Sequence, residues 1–167
     1  MQTFLPYPDY KRSALVLDKK RLGNQRKECM QIITVLTLKR SEAYGKKKKE
    51  YIEQHGTIVP WSRHPAVLMW KDNVYQLFMY LKEMCNEWVR RGCVDAQWER
   101  AEKILNKLKT YVPFDDCSEP DWLGNRQFHL SHKSNLLRKN YKHYSKYFNV
   151  PIDIPYYWPT HHKVVEV

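Results

Sequence analysis

The sequence predicts an all-α fold: one compact domain, residues 1–167, with three to four main helices, long loops and an extended C-terminal tail. Three observations carry this expectation. Apolar residues recur at helical spacing over three long stretches, strand-like alternation never exceeds a few residues, and no internal repeat is present. At 167 residues, 43% of them hydrophobic and 14% aromatic, the chain suits a single core.

The first pattern places Leu22, Cys29, Ile32, Ile33 and Leu36 on one helix face, beginning near Ser13 and fading at Ser41–Gly45. The second runs through Val67, Trp70, Val74, Leu77, Phe78, Leu81, Met84, Cys85 and Trp88. It opens after Ser62 with Pro65 in its first turn and stops at Gly92 behind two arginines. The third extends from Asp95 to Lys109 through Trp98, Ala101, Ile104, Leu105 and Leu108. Loops fill 42–60, with the run Lys46–Lys49, and 110–126, with Pro113, Pro120 and Gly124. A fourth helical stretch, broken or short, is expected from Ser131 to Phe148, and the three prolines of 150–159 demand an extended tail.

A net charge of +11 and a pI near 9.5 point to a polyanionic partner, nucleic acid or an acidic membrane surface. No apolar run is long enough for a transmembrane span, and MQTFLPYPDY lacks a signal-peptide core, so a soluble cytoplasmic protein is expected, in the host cytoplasm if the source is viral. Charge is also unevenly placed. Residues 11–50 hold thirteen Lys or Arg against four acids, and 126–146 hold six basic residues and no acid, whereas 94–121 are net acidic. The Lys46–Lys49 run alone reads equally well as a solvated loop. The membrane reading lacks an amphipathic helix with an exposed apolar face, which leaves a phosphate backbone as the better partner. Cys29, Cys85, Cys93 and Cys117 form no C-x-x-C pair, so they read as reduced, space-filling thiols rather than zinc ligands.

Two segments have the composition for chemistry. In residues 18–28, Arg21, Gln25 and Glu28 share a helix face with Lys20 and Lys27 near its margins. Glu28 then reads either as a helix ion pair or as an acid kept within a phosphate-binding face because it acts on a sugar or base. The segment 120–139 interleaves Trp122 and Phe128 with His129, Ser131, His132, Lys133, Ser134, Asn135, Arg138 and Lys139, the mixture that backbone contact and base stacking require. Trp122 fits a core position as well as a stacking one, and Tyr156–Trp158 is a second aromatic candidate. His129 and His132 are spaced to share a metal but have no carboxylate or cysteine pattern beside them. His64, at a helix start, reads first as a cap or packing residue.

The motifs K-R-L-G-N-Q-R-K-E (20–28), R-H-P-A-V-L-M-W-K (63–71), E-W-V-R-R-G (87–92), the stretch 122–139 and Y-Y-W-P (156–159) resemble the pyrimidine-dimer DNA glycosylase family, endonuclease V type, of phages and bacteria. The resemblance implies an all-α single domain that binds double-stranded DNA and flips a nucleotide out, with no metal needed; a monomer without cofactors is expected. It also implies that a free α-amine attacks the anomeric carbon, expels the base and leaves a Schiff base, after which β-elimination nicks the strand. The family's essential glutamate lies six residues after a leucine, which makes it Glu28 here, preceded by the basic residue Lys27; the histidine at the second helix start corresponds to His64. Residue 2 is Gln2 rather than the family's threonine, and its bulk opposes removal of the initiator, so the amine would be that of Met1. Arg21 replaces a histidine, and Gln31 replaces a basic residue. The DNA-contacting set implied by charge and resemblance together is Lys20, Arg21, Arg26, Lys27, His64, Trp122, His129, His132, Lys133, Asn135, Arg138 and Lys139. Two other readings remain at this point: a base-modifying enzyme of the same fold and a non-catalytic DNA-binding module.

Overall fold

The computed structural model describes residues 2–38, 61–109 and 118–159, and among them every regular element is a helix. In chain order these are α1 (Tyr10–Val16), α2 (Lys19–Leu38), α3 (Pro65–Leu68), α4 (Val74–Arg90), α5 (Gln97–Lys109), α6 (Arg126–Lys139) and α7 (Tyr141–Tyr144). The loop stretches 42–60 and 110–117 lie outside the described residues, as do Cys117, the fading of the first pattern at Ser41–Gly45, and Met1.

The first expected helix is two helices. Asp9 caps α1 by accepting the Arg12 amide, and α1 stops at Leu17. Asp18 then starts α2, its carboxylate accepting the Arg21 amide at 3.0 Å. Short polar side chains that bond local backbone favour such restarts over a continuous helix. The apolar face expected on α2 is buried throughout, from Leu22 and Cys29 to Leu36. Gly23 allows close approach to α4, since a Cβ there would meet the Trp88 ring at 3.2 Å.

The second expected helix is also divided. His64 caps α3, and a turn through 69–73 separates it from α4. In that turn the backbone bonds close over three residues, as from Asn73 N–H to the Trp70 carbonyl at 3.1 Å. The stripe survives the break because Trp70 remains fully buried within the turn. At the far end Gly92 takes a φ of 77°, the left-handed conformation that favours glycine after a helix. Arg91 reaches from there to the carbonyls of Leu17 at 2.7 Å and Leu15 at 3.0 Å, placing a cation at the C-terminal end of α1.

The third helix agrees with expectation, with Asp95 capping it through the Trp98 amide at 2.9 Å. The fourth begins earlier than expected, at Arg126, because the Asn125 side chain accepts the Phe128 amide. It breaks at Asn140, whose side chain caps the short α7. α4 packs against α1 and α2, and α5 closes over both α2 and α4. Residues 150–158 contain no helix.

Candidate active site

The residues ahead of α1 build the site. Residues 2–6 are buried, although they carry no helical pattern. Each backbone amide from Gln2 to Leu5 is taken by a side chain. Gln2 N–H donates to Glu28 Oε2 at 2.6 Å, Thr3 N–H to the Gln2 side chain at 2.9 Å, Phe4 N–H to Gln25 Oε1 at 2.7 Å and Leu5 N–H to His132 Nδ1 at 3.1 Å. Around them Trp70 Nε1 donates to the Thr3 hydroxyl at 2.9 Å, and the Tyr80 hydroxyl lies 2.7 Å from Gln25 Oε1 and 3.0 Å from the Phe4 carbonyl. A buried segment outside any helix or sheet must satisfy its polar groups this way or fail to stay buried.

The two α6 histidines hold the other side of this leader. His129 Nε2 accepts the Gly124 amide, so Nδ1 carries the proton and donates to the Leu5 carbonyl at 2.8 Å. His132 is fully buried, and burial depresses it to about 3, so it is a neutral acceptor for Leu5 N–H. Burial lowers His129 as well.

Glu28 is half-buried and lines an open cleft of about 340 Å³ together with Asn24, Lys27, Gln31 and Trp61. That volume suits a small-molecule-sized group, in the range of about 300–1,000 Å³. His64 stands near enough for the Glu28 charge to raise its pKa, but burial dominates and lowers it. The His64 Nδ1 accepts the Ala66 amide at 3.1 Å, so the ring is a cap and a neighbour of the carboxylate at once. Its ring meets Trp61 at 5.8 Å and Trp158 at 6.1 Å. Tyr156 packs on His132 at 5.8 Å; burial pushes its phenol up to about 12, and the Glu28 carboxylate acts in the same direction.

Of the expected contacts, Lys27, Glu28 and His64 therefore come together. Lys20 is exposed on α2, and Arg21 bridges Asp18 at 3.2 Å and the Lys139 carbonyl at 3.0 Å, bringing the two basic segments together there. Other expected contacts have different surroundings. Arg26 is buried, paired with Asp95 and laid over Trp88 at 4.5 Å, so it joins α2 to α5 instead of facing phosphate. Trp122 is wedged between Trp70 at 4.9 Å and Phe128 at 4.8 Å, with Nε1 donating to the Met69 carbonyl. His129 and His132 are turned inward on the leader. Lys133 sits over the Tyr7 ring at 4.8 Å, and burial lowers its pKa. Arg138 donates to the Ile152 and Ile154 carbonyls and to Asn135 Oδ1 at 2.5 Å, clamping the tail.

Sequence reasoning missed Tyr80 and Trp61, and it weighed Gln2 only as the residue after Met1, not as a donor to Glu28. Gln25 was visible on the Glu28 face, but nothing local showed that its partner would be Phe4. Among the described residues no group of three or more His, Cys, Asp or Glu is placed to hold a metal, and no helix is long and apolar enough to cross a membrane.

Fold and cleft together define a helical protein in which Gln2 N–H bonds a glutamate that lines an open groove. The chain belongs to the pyrimidine dimer DNA glycosylase family, whose family model matches residues 1–100. That span contains the leader, α1 to α4 and Glu28, and it stops before α6 and the tail. Among curated proteins and solved structures, none matches the chain at a significant level.

Proposed function

We propose that the protein excises a damaged pyrimidine from duplex DNA by amine catalysis, with Glu28 assisting, and then nicks the strand as an abasic-site lyase. The observation that carries this reading is the 2.6 Å bond from Gln2 N–H to Glu28. The α-amine of residue 1 is three bonds before that nitrogen, so covalent geometry alone keeps it within about 4 Å of the Gln2 nitrogen. An α-amine borne by residue 1 would therefore lie close to the Glu28 carboxylate. An α-amine with an ordinary pKa of about 7.7–8.0 keeps a neutral, nucleophilic fraction at physiological pH.

In this mechanism the amine nitrogen bonds to C1′, and the C1′–N bond to the base breaks as the base gains a proton. The sugar ring opens to an iminium. Loss of a C2′ proton then expels the 3′ phosphate. Glu28 stabilises the cationic sugar and relays the protons. Lys20, Arg21, Lys27 and Lys139 supply the phosphate contacts that position duplex DNA.

The test is glycosidic-bond cleavage in a duplex carrying one pyrimidine dimer, read as alkali-labile strand scission at the dimer, because the cleaved base stays joined to its neighbour. Glu28→Gln retains an oxygen acceptor for Gln2 N–H, so the leader stays in place, while cleavage should fall about a hundredfold or more. Cleavage by Glu28→Gln at the wild-type rate would overturn the assignment.

A further inference from the structure

We infer that Arg12 of α1 and Lys133 of α6, seated together on the Tyr7 ring, clip one backbone phosphate of duplex DNA outside the Glu28 cleft; this rests on the DNA partner of the glycosylase reading above. The Arg12 guanidinium lies 4.0 Å and the Lys133 ammonium 4.8 Å from the Tyr7 ring centroid. Lys133 also lies 6.0 Å from the Phe148 ring. An aromatic face attracts a cation, but two cations brought to one ring repel each other. Among the described residues neither forms an ion pair with a carboxylate. Other cations drawn into the fold do: Arg21 bridges Asp18, Arg26 pairs with Asp95 and Arg91 with Glu87. The Asp9 carboxylate is engaged in capping α1 through the Arg12 amide, and residues 126–146 hold no acid.

Two crowded cations without an acid suit an anion that the protein itself does not supply. Burial, and then the Arg12 charge, lowers the Lys133 pKa, so an anion between the two would relieve both. A backbone phosphate offers two free oxygens, enough to meet a guanidinium and an ammonium at once. Membership of a DNA glycosylase family selects DNA among phosphate-bearing partners. The placement agrees. His129 and His132 fix Leu5 on α6, and Tyr7 follows two residues later. At most about 18 Å of extended chain separates Tyr7 from Gln2. Duplex DNA rises about 3.4 Å per base pair, so the clip falls within about five base pairs of the nucleotide at Glu28. Tyr7, which carries both cations, is the positioning residue of the clip.

The experiment measures affinity for an undamaged duplex between about 50 and 200 mM salt. It compares wild type, the double variant Arg12→Gln/Lys133→Gln, Tyr7→Leu and Tyr7→Phe, each checked for folding by thermal unfolding. One shared phosphate makes the slope of log K against log salt shallower by about 0.9 in the double variant. A change of about 1.8 means two separate phosphates and overturns the clip, as does an unchanged slope. Tyr7→Leu keeps every charge, yet should weaken binding about threefold, and Tyr7→Phe should restore it. Wild-type affinity in Tyr7→Leu, or a loss that Tyr7→Phe leaves in place, also overturns the clip. Glycosidic cleavage at a pyrimidine dimer is followed in parallel. An unchanged slope beside a wild type that cleaves there overturns the clip and leaves the glycosylase reading intact, whereas a wild type that binds no duplex overturns both.

Discussion

The leader, residues 2–6, and the tail, residues 150–158, are both non-helical and both pinned by α6, yet their bonding differs. The leader is buried, and its backbone amides are met by side chains from α2 and α6, with Trp70 and Tyr80 bracing it. The tail is exposed or half-buried and hangs on a few bonds, from Arg138 to Ile152 and Ile154 and from Ile154 N–H to Ser134 Oγ at 3.1 Å. One segment fixes a main-chain position at Glu28, and the other brings Trp158 against His64. Chemistry that needs a backbone-borne amine needs the rigid arrangement; an aromatic wall tolerates the looser one.

The sharpest way to break the contrast is Gln25→Leu. It leaves the Phe4 amide unpaired and takes one acceptor from Tyr80, which should cost about 4 kcal/mol in denaturant unfolding. Displacing the leader by even about 1 Å should lower glycosidic cleavage at a dimer about a hundredfold. Stability and rate both near wild type would show that the leader does not depend on this bond.

Acid should loosen the leader next. The unfolded chain protonates His132 near pH 6.5 and the folded protein only at about 3. Between those values the unfolded state binds more protons, so stability is present above pH 6.5 and is lost as pH falls. The loss by pH 4 should be roughly 3 kcal/mol. His129, also lowered, adds in the same sense. His132→Gln can still accept Leu5 N–H but cannot titrate, so its Tm should fall less between pH 7 and pH 4. Equal slopes for variant and wild type would remove His132 from the account.

The smallest effect belongs to the tail. Arg138→Ala should cost about 1 kcal/mol, because its bonds are largely solvent-exposed. Affinity for damaged duplex should fall while the saturating rate holds. A rate loss as large as that of Gln25→Leu would erase the distinction between the two segments.

These two segments also mark how far the sequence alone reaches. The buried face of α2, the third helix and the candidacy of Glu28 were legible because periodicity and spacing are local signals. The breaks at Leu17–Asp18 and 69–73 were not, since the apolar stripe runs through Trp70 unbroken while short polar side chains redirect the backbone. The leader was opaque for a different reason. Its amide partners Gln25, Glu28 and His132 lie 21 to 127 residues away from the residues they hold. Arg26 looked like a phosphate ligand for want of any local hint that Asp95 would bury it.

The central claim is that the anchored leader delivers the nucleophilic amine to Glu28, and the most direct measurement is borohydride trapping on abasic duplex DNA followed by peptide mapping of the adduct. The account predicts a covalent adduct on the first residue of the chain, lost when that amine is acetylated with every lysine left free. An adduct mapping to Lys27 or Lys20, or none from a protein that still cleaves the glycosidic bond at a dimer, would contradict it.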